Sequence, residues 1–340
     1  MKILYLSPDM SAYGSAGYQH DVMQELAQQA EVSFYGPGFP AYHAGDSLAD
    51  AVAKAGFAPD WIVCGHAWLE DRPGAAVNKF AHIDLTRTDV PRAAILNKEY
   101  TNLATKLEWM RGAGMSVILT HHHDAAGHER RSGVRTVFWP FAADHRLFHD
   151  RDGKTLDLGF SGILQNPTPG NQSDLRVRVM QRLFECDGDL PVRLREWCRG
   201  LRVKFNALPR SEAQRALAEQ SGLYRRMGTG EYAAFVRSCR AFLCTRSPAD
   251  LVSPRYFECM LSGTLVIAER SAAHAAIFPE GCLLEFGDEA EFQGRLLEAM
   301  EGAEAIVERA QREAAARHTW EKRVASLLAE LSSCRATAAA

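Results

Sequence analysis

Short, continuously apolar runs alternate with stretches of helical period through the first half of the chain. The runs fall at 3–6, 32–35, 61–64, 93–96, 117–119 and 135–138. A strand buried on both faces reads that way, so these runs predict a parallel sheet covered on either side. Val22, Met23, Leu26 and Ala30 recur at helical spacing between the first two runs, and further helices are expected over 46–56 and 102–111. Strand and helix in alternation predict a Rossmann-like domain of about 140 residues. Residues 149–154 are polar and without period, which places a domain junction there. The pattern then restarts with a strand over 156–161 and a helix over 173–184, capped by Ser173 and carrying Arg176, Arg178 and Arg182. Helices near 211–223 and 230–239 follow, then strands at 241–244, 264–268 and 282–286. Helices over 288–301, 303–316 and 320–334 come last, with a frayed tail at 335–340. The prediction is an α/β chain of two Rossmann-like doubly wound domains facing across a cleft, with 1–145 in the first and 155–317 in the second.

One stretch in the second half carries more than packing. Arg246-Ser-Pro-Ala-Asp250-Leu-Val-Ser253-Pro254-Arg255-Tyr-Phe-Glu258-Cys-Met-Leu-Ser-Gly263 reads as a polar loop feeding a short helix. Ser253 suits the N-cap, Pro254 the first helical position, and Gly263 the left-handed residue that ends the helix. A helix N-terminus presents free N–H groups to an anion, most often a phosphate. Arg255 and Glu258 share a helix face, and Asp250 lies in the loop at the rim. A cation and two carboxylates around such a helix end suit a nucleotide diphosphate, with carboxylate on sugar or ribose hydroxyls. The plainer reading is a capped helix with an Arg–Glu surface pair. Ser161 and Gly162 end the strand that opens the second domain, and Arg176 in the following helix offers a second phosphate contact.

Composition narrows the partners. At 340 residues the chain exceeds what one core usually supports, and its 46% hydrophobic content and net charge of −3 suit a soluble protein rather than a nucleic-acid binder. The local basic stretch of Arg193, Arg195, Arg199, Arg202 and Lys204, with Trp197 among them, reads as a solvated helix face; the other reading is a patch for anionic lipid or acceptor phosphate. The eight cysteines are scattered without a C-x-x-C pair, the pattern of reduced, buried thiols. The N-terminal apolar run is too short for a signal peptide, and no run approaches the roughly 20 residues that span a bilayer. A cytoplasmic protein with at most peripheral membrane association is expected.

In open parallel sheets, ligands bind beyond the carboxyl ends of the strands. By that rule Asp9, Gly14, Gly17, His20, His66, Lys98, Glu99 and residues 121–124 point toward one crevice of the first domain. Gly14 and Gly17 do not make G-x-G-x-x-G; they imply either a backbone that approaches a ligand closely or a tight turn. His121, His122 and His123 alternate sides on an extended chain and so seldom hold one ion, and no metal site is expected. His121 is taken to line the crevice. His66 ends a buried strand at its rim, where an imidazole can bind or deprotonate a hydroxyl; the alternative is a core histidine satisfied by backbone.

Four segments, in order, resemble the group 1 glycosyltransferases of the GT-B fold, particularly their spore-maturation-protein-like branch. Val137-Phe-Trp-Pro140-Phe-Ala-Ala-Asp144-His-Arg-Leu-Phe148 is similar to that family's Pro-x-x-x-Asp-x-x-x-Phe junction, and Asp157-Leu-Gly-Phe-Ser161-Gly162 to the strand opening its donor domain. Ser253 to Gly263 resembles its Arg-x-Phe-Glu-x-x-x-x-Gly segment. His318-Thr-Trp320-Glu-Lys-Arg resembles the start of its final helix, which implies that 318–334 crosses back onto the first domain. The resemblance implies that Glu258 hydrogen-bonds the donor ribose. It places Asp250 at the first position of a Glu-x7-Glu pair, here one methylene shorter. The family's Arg and Lys five residues apart are not recognisable after Gly162, and Arg176 and Arg255 stand in for them. The double glycine of the first loop is altered to Gly14-Ser-Ala-Gly17.

The expected activity is sugar transfer from a nucleotide-diphosphate sugar to a saccharide, lipid-linked or other hydroxyl acceptor, without metal or further cofactor, with retention favoured over inversion. Gly14, Ser161, Gly162, Arg176, Ser253, Arg255 and Glu258 bind the donor in this reading. Gly17, His20, Lys98 and His121 lie on the acceptor side, and His66 and Asp250 are catalytic. The rivals are a nucleotide-sugar 2-epimerase and a degenerate subunit that binds nucleotide or glycan without turnover.

Overall fold

The computed structural model describes residues 1–11, 17–72, 74–164 and 174–339. The chain divides into two units, one of Met1–Phe141 with Trp320–Ala340, the other of Ala142–Thr319.

The first unit runs β1 (Lys2–Leu6), α1 (Gly17–Gln29), β2 (Glu31–Tyr35), α2 (Leu48–Lys54), β3 (Trp61–Cys64), β4 (Arg92–Leu96), α3 (Leu103–Gly112), β5 (Val117–Thr120), α4 (Ala125–Ser132) and β6 (Thr136–Phe138). Its six strands are all parallel, in the order β2-β1-β3-β4-β5-β6. Chain direction across the sheet reverses between β1 and β3, the switch point where ligands enter such folds. Ile3, Leu4, Ile62, Val63, Val117, Ile118 and Leu119 are fully buried, as continuous apolar strands require.

The second unit runs β7 (Leu156–Ile163), α5 (Asp174–Leu183), β8 (Phe184–Asp187), β9 (Leu190–Leu194), β10 (Val203–Leu208), α6 (Glu212–Gln220), α7 (Thr229–Ser238), β11 (Cys239–Cys244), α8 (Pro254–Leu261), β12 (Leu265–Glu269), α9 (Ala272–Ile277), β13 (Leu284–Phe286), α10 (Glu289–Glu301) and α11 (Glu304–Arg317). Its parallel sheet is ordered β10-β7-β11-β12-β13, so its switch point lies between β7 and β11. Two Rossmann-like domains are therefore present. The final helix, α12 (Trp320–Ala339), belongs to the first unit: Trp320, Val324, Leu327 and Leu331 are buried, and the Trp139 indole N–H donates to the Arg323 carbonyl at 2.9 Å.

The basic stretch is not a helix face. Arg193 lies in the antiparallel hairpin β8–β9 and pairs with Glu185 at 2.6 Å, while Arg202 grips Asp157 through Nη2 at 2.8 Å and Nε at 3.2 Å. Lys204 lies in β10, an edge strand in which Phe205, Asn206 and Ala207 are all buried. Lys204 and the buried Asn206 interrupt the apolar run of β10, so no continuous apolar signal marks it. The sequence reading also passed over α4, because residues 121–128 drew attention for their histidines, and the expected frayed tail is helical to Ala339. Among the described residues no helix is long and apolar enough to cross a membrane, and all eight cysteines are free.

Candidate functional site

In the second unit the functional side chains gather at the carboxyl edge of the sheet. β7 ends at Gly162 and Ile163. Gly162 has φ +147, a conformation that side chains seldom adopt, and a Cβ built there would lie 3.7 Å from Arg255 Nη2. The guanidinium of Arg255 therefore lies against the strand end. Arg176, from the helix after β7, reaches both strands at the switch point: Nη1 donates to the Ile163 carbonyl at 2.8 Å and Nε to Thr245 Oγ1 at 2.5 Å, just past β11. Burial, and then the like charge of Arg255, pulls the Arg176 guanidinium down to about 10, so it remains a cation at neutral pH. Among the described residues neither arginine forms an ion pair with a carboxylate, and Arg255 Nε is buried without a hydrogen-bond partner.

Helix α8 begins as its sequence indicates, with Pro254 at the first position, but the Ser253 side chain makes no capping bond. The first-turn N–H groups thus gain nothing from that hydroxyl. Gly263 ends the helix at φ +58. Glu258 Oε2 accepts a hydrogen bond from the Tyr232 hydroxyl at 2.9 Å. Burial holds its carboxyl above the usual range, against that bond and the charge of Arg255. Asp250 sits at φ +54 in the preceding loop and pairs with Arg246 at 3.2 Å, while Glu269 at the end of β12 accepts from the Arg246 backbone N–H at 2.8 Å. Ser161 precedes Gly162 and so faces the other side of the sheet, where Asn206 Nδ2 lies 3.5 Å from its hydroxyl.

In the first unit, His66 follows β3 at the switch point and is buried, 2% exposed. Its Nε2 lies 3.0 Å from Nε2 of His121, which follows β5, with the rings stacked at 8°. His121 Nδ1 lies 2.8 Å from the Trp139 carbonyl. Phe141 stacks on His121 at 3.7 Å, and Tyr18 meets His66 edge-on at 5.3 Å. The Tyr18 hydroxyl donates to Asn97 Oδ1 at 3.3 Å, and Asn97 Nδ2 to the His66 carbonyl at 3.4 Å. Burial drives both imidazoles down, His66 well below its ordinary value and His121 to about 3, so both are neutral. Among the described residues His66 Nδ1 has no hydrogen-bond partner.

The other first-unit candidates are placed differently. His121 is enclosed with both nitrogens engaged, so it is not a crevice-lining contact. Lys98 sits at φ +46, paired at 3.1 Å with Asp71, which Lys106 also holds at 2.7 Å. Glu99 is buried against Thr120 Oγ1 at 2.8 Å and His128 Nε2 at 3.3 Å. Asp124 caps α4 through the Gly127 N–H, and His122 Nδ1 accepts from the Asp124 N–H. Gly17 opens α1, and His20 follows it half-buried. Gly14 and Ser173 lie outside the described residues. Among the described residues no group of three or more His, Cys, Asp or Glu side chains could hold a metal ion. Sequence reasoning missed Tyr18, Asn97, Tyr232 and Thr245. Only Thr245 carried a local signal, since it directly follows an apolar strand.

Residues 202–329 match the family model described as "Glycosyl transferase-like". No curated protein sequence matches the chain. Among solved structures, sucrose-phosphate synthase of Thermosynechococcus elongatus superposes with TM-score 0.64 at 14% identity, covering 99% of this chain and all of the other. HepE of Anabaena, in complex with UDP and glucose, gives TM-score 0.60 at 14% identity over 98% of this chain and 100% of that one. A glycosyltransferase of Rickettsia africae gives 0.62 at 10% identity, covering 98% of each chain. The chain thus has the GT-B fold of these glycosyltransferases, and the family match within its second half supports its resemblance to the group 1 glycosyltransferases.

Proposed function

We propose that the chain transfers a sugar from a nucleotide-diphosphate sugar to a hydroxyl acceptor. The observation that carries this reading is the pair of cations at the second unit's switch point. Arg176 bridges the ends of β7 and β11 and Arg255 lies against Gly162; among the described residues neither closes a salt bridge, although Glu258 lies within electrostatic reach of Arg255 and Glu269 of Arg176. Two like charges gathered at a strand edge favour a multiply charged anion, and a departing diphosphate is one. Glu258, steadied by Tyr232, takes ribose hydroxyls as the group 1 resemblance implies. The hinge and final-helix segments further favour the spore-maturation-protein-like branch. Positive charge from two guanidiniums supplies electrostatic stabilisation of the leaving group, so the reaction needs no metal. Retention at the transferred carbon is the expected outcome, with Asp250 the carboxylate nearest that role in sequence. The acceptor is a saccharide, a lipid-linked sugar or another hydroxyl compound.

The test is turnover of UDP-, GDP- and ADP-sugars with and without an acceptor panel, before and after exhaustive EDTA treatment. Acceptor-dependent release of nucleoside diphosphate that survives EDTA is expected. Conversion of the donor sugar without acceptor would make the protein a 2-epimerase, and nucleotide binding without turnover would make it a binding subunit.

A further inference from the structure

A carbonyl oxygen can only accept a hydrogen bond, so the Trp139 carbonyl at 2.8 Å assigns a proton to His121 Nδ1. His121 Nε2 is then a bare acceptor in the neutral ring. The Nε2–Nε2 separation of 3.0 Å to His66 requires one proton between the two nitrogens, and it must come from His66. His66 is thereby fixed as the Nε2–H tautomer, and its buried Nδ1 carries a lone pair that no hydrogen bond engages among the described residues. Among the described residues nothing donates to that nitrogen. A buried acceptor without a partner is rare in folded proteins and asks for an occupant. Its place supplies one: His66 follows β3 where the sheet order reverses, the ligand edge of the first unit.

We infer that His66 Nδ1 accepts a hydrogen bond from a hydroxyl of the sugar acceptor, and that His121, anchored by the Trp139 carbonyl, is the positioning residue that keeps this nitrogen bare. The inference rests on the proposed sugar transfer for the identity of the hydroxyl. Tyr18 edge-on to His66 and Phe141 stacked on His121 hold the two rings in this register.

The experiment combines nitrogen-15 histidine spectra with kinetics. In the free wild-type protein at pH 7, long-range proton–nitrogen correlations should show His121 protonated at Nδ1 and His66 at Nε2. A His66 resonance protonated at Nδ1, or at both nitrogens, overturns the assignment. His121→Phe keeps an aromatic ring for Phe141 but removes the acceptor facing His66. It should scramble the His66 tautomer and cut turnover about tenfold or more while UDP affinity is unchanged, whereas His121→Gln, with a donor and an acceptor in one side chain, should recover part of the loss. Equal turnover in wild type, His121→Phe and His121→Gln would overturn the positioning role. Melting temperatures of both variants separate misfolding from mispositioning, and a His66→Ala variant with full turnover also refutes the inference. Should wild type turn over no sugar nucleotide, the proposed function and the hydroxyl partner fall together, while the spectra still decide the tautomer.

Discussion

Arg176→Met tests the anion site most directly, because methionine keeps an apolar stem and removes only the charged head. In the free protein two effects oppose. The variant loses hydrogen bonds to the Ile163 carbonyl at 2.8 Å and Thr245 Oγ1 at 2.5 Å, each worth about 1.5–3 kcal/mol for a charged donor. It also removes a buried cation that Arg255 repels, a burden visible in the depressed Arg176 value of about 10. The melting temperature should therefore move by less than the hydrogen bonds alone imply. Binding of a nucleoside diphosphate has no such offset. Losing one charge-assisted bond to phosphate costs about 1.5–3 kcal/mol, or roughly 10- to 150-fold in affinity. Calorimetric titration with UDP, GDP and ADP finds the preferred base, and the matching nucleoside, which lacks phosphate, serves as control. The diphosphate should weaken within that range and lose part of its salt dependence, while the nucleoside binds as before. Diphosphate affinity within twofold of wild type, or equal loss for diphosphate and nucleoside, would refute the assignment.

Tyr232→Phe removes the hydrogen bond that holds Glu258 down against burial, so nucleotide affinity should fall several-fold, and more at pH 5.5 than at pH 8. An affinity independent of pH in that variant counts against Glu258 as the ribose ligand. Acid should destabilise the first unit. His66, His121 at about 3 and His128 at about 4 are all depressed from 6.5, so each contributes stability that is present above pH 6.5 and lost as pH falls toward those values. Glu99 opposes them: burial raises it from 4.5 to about 7, so its contribution is present below pH 4.5 and lost as pH rises to 7. With three groups against one, stability of the first unit should fall as pH drops below 6.5. Urea melts at pH 7.5, 6.5 and 5.5 check this, and a flat profile would show that the histidines titrate normally. Arg176→Lys should bind UDP near wild-type strength at pH 6.5 and progressively lose it toward pH 9, by the same calorimetry.

The inner strands were legible because burial on both faces leaves a continuous apolar run, as in Trp61–Cys64 and in 241–244 of β11. The hairpin β8–β9 and the edge strand β10 were not, since Glu185 in β8, Arg193 in β9 and Lys204 and Asn206 in β10 break their apolar runs. In the site, Arg255, Glu258 and Gly263 were readable because a cap, a helix spacing and a terminating glycine are local signals. Arg176 was readable for the same reason, lying in the helix after a strand. What holds these groups is long-range: Tyr232 reaches Glu258 across 26 residues, Arg176 reaches Thr245 across 69, and His66 meets His121 across 55. No local spacing encodes such pairs. His66 was read as an isolated imidazole at a strand end, yet its protonation is set by a neighbour that the sequence reading had assigned to the crevice wall.

The difference from the Arg and Lys pair of the group 1 glycosyltransferases, which the chain resembles, also has a physical reason. Desolvation and the charge of Arg255 lower the Arg176 guanidinium from 12.5 to about 10, and it stays fully charged at neutral pH. The same downward pull would act on a lysine, which starts lower, near 10.4, and is therefore the more readily discharged of the two. A guanidinium also presents two donors from one plane, which lets Arg176 hold the Ile163 carbonyl and Thr245 while its remaining N–H groups stay available to a phosphate. A lysine could supply the charge or span the two strand ends, but its single nitrogen would have to do both from one point. Burial of this position at the switch point therefore favours arginine, and with Arg255 against Gly162 the site gains its second cation from α8 instead of from a nearby lysine.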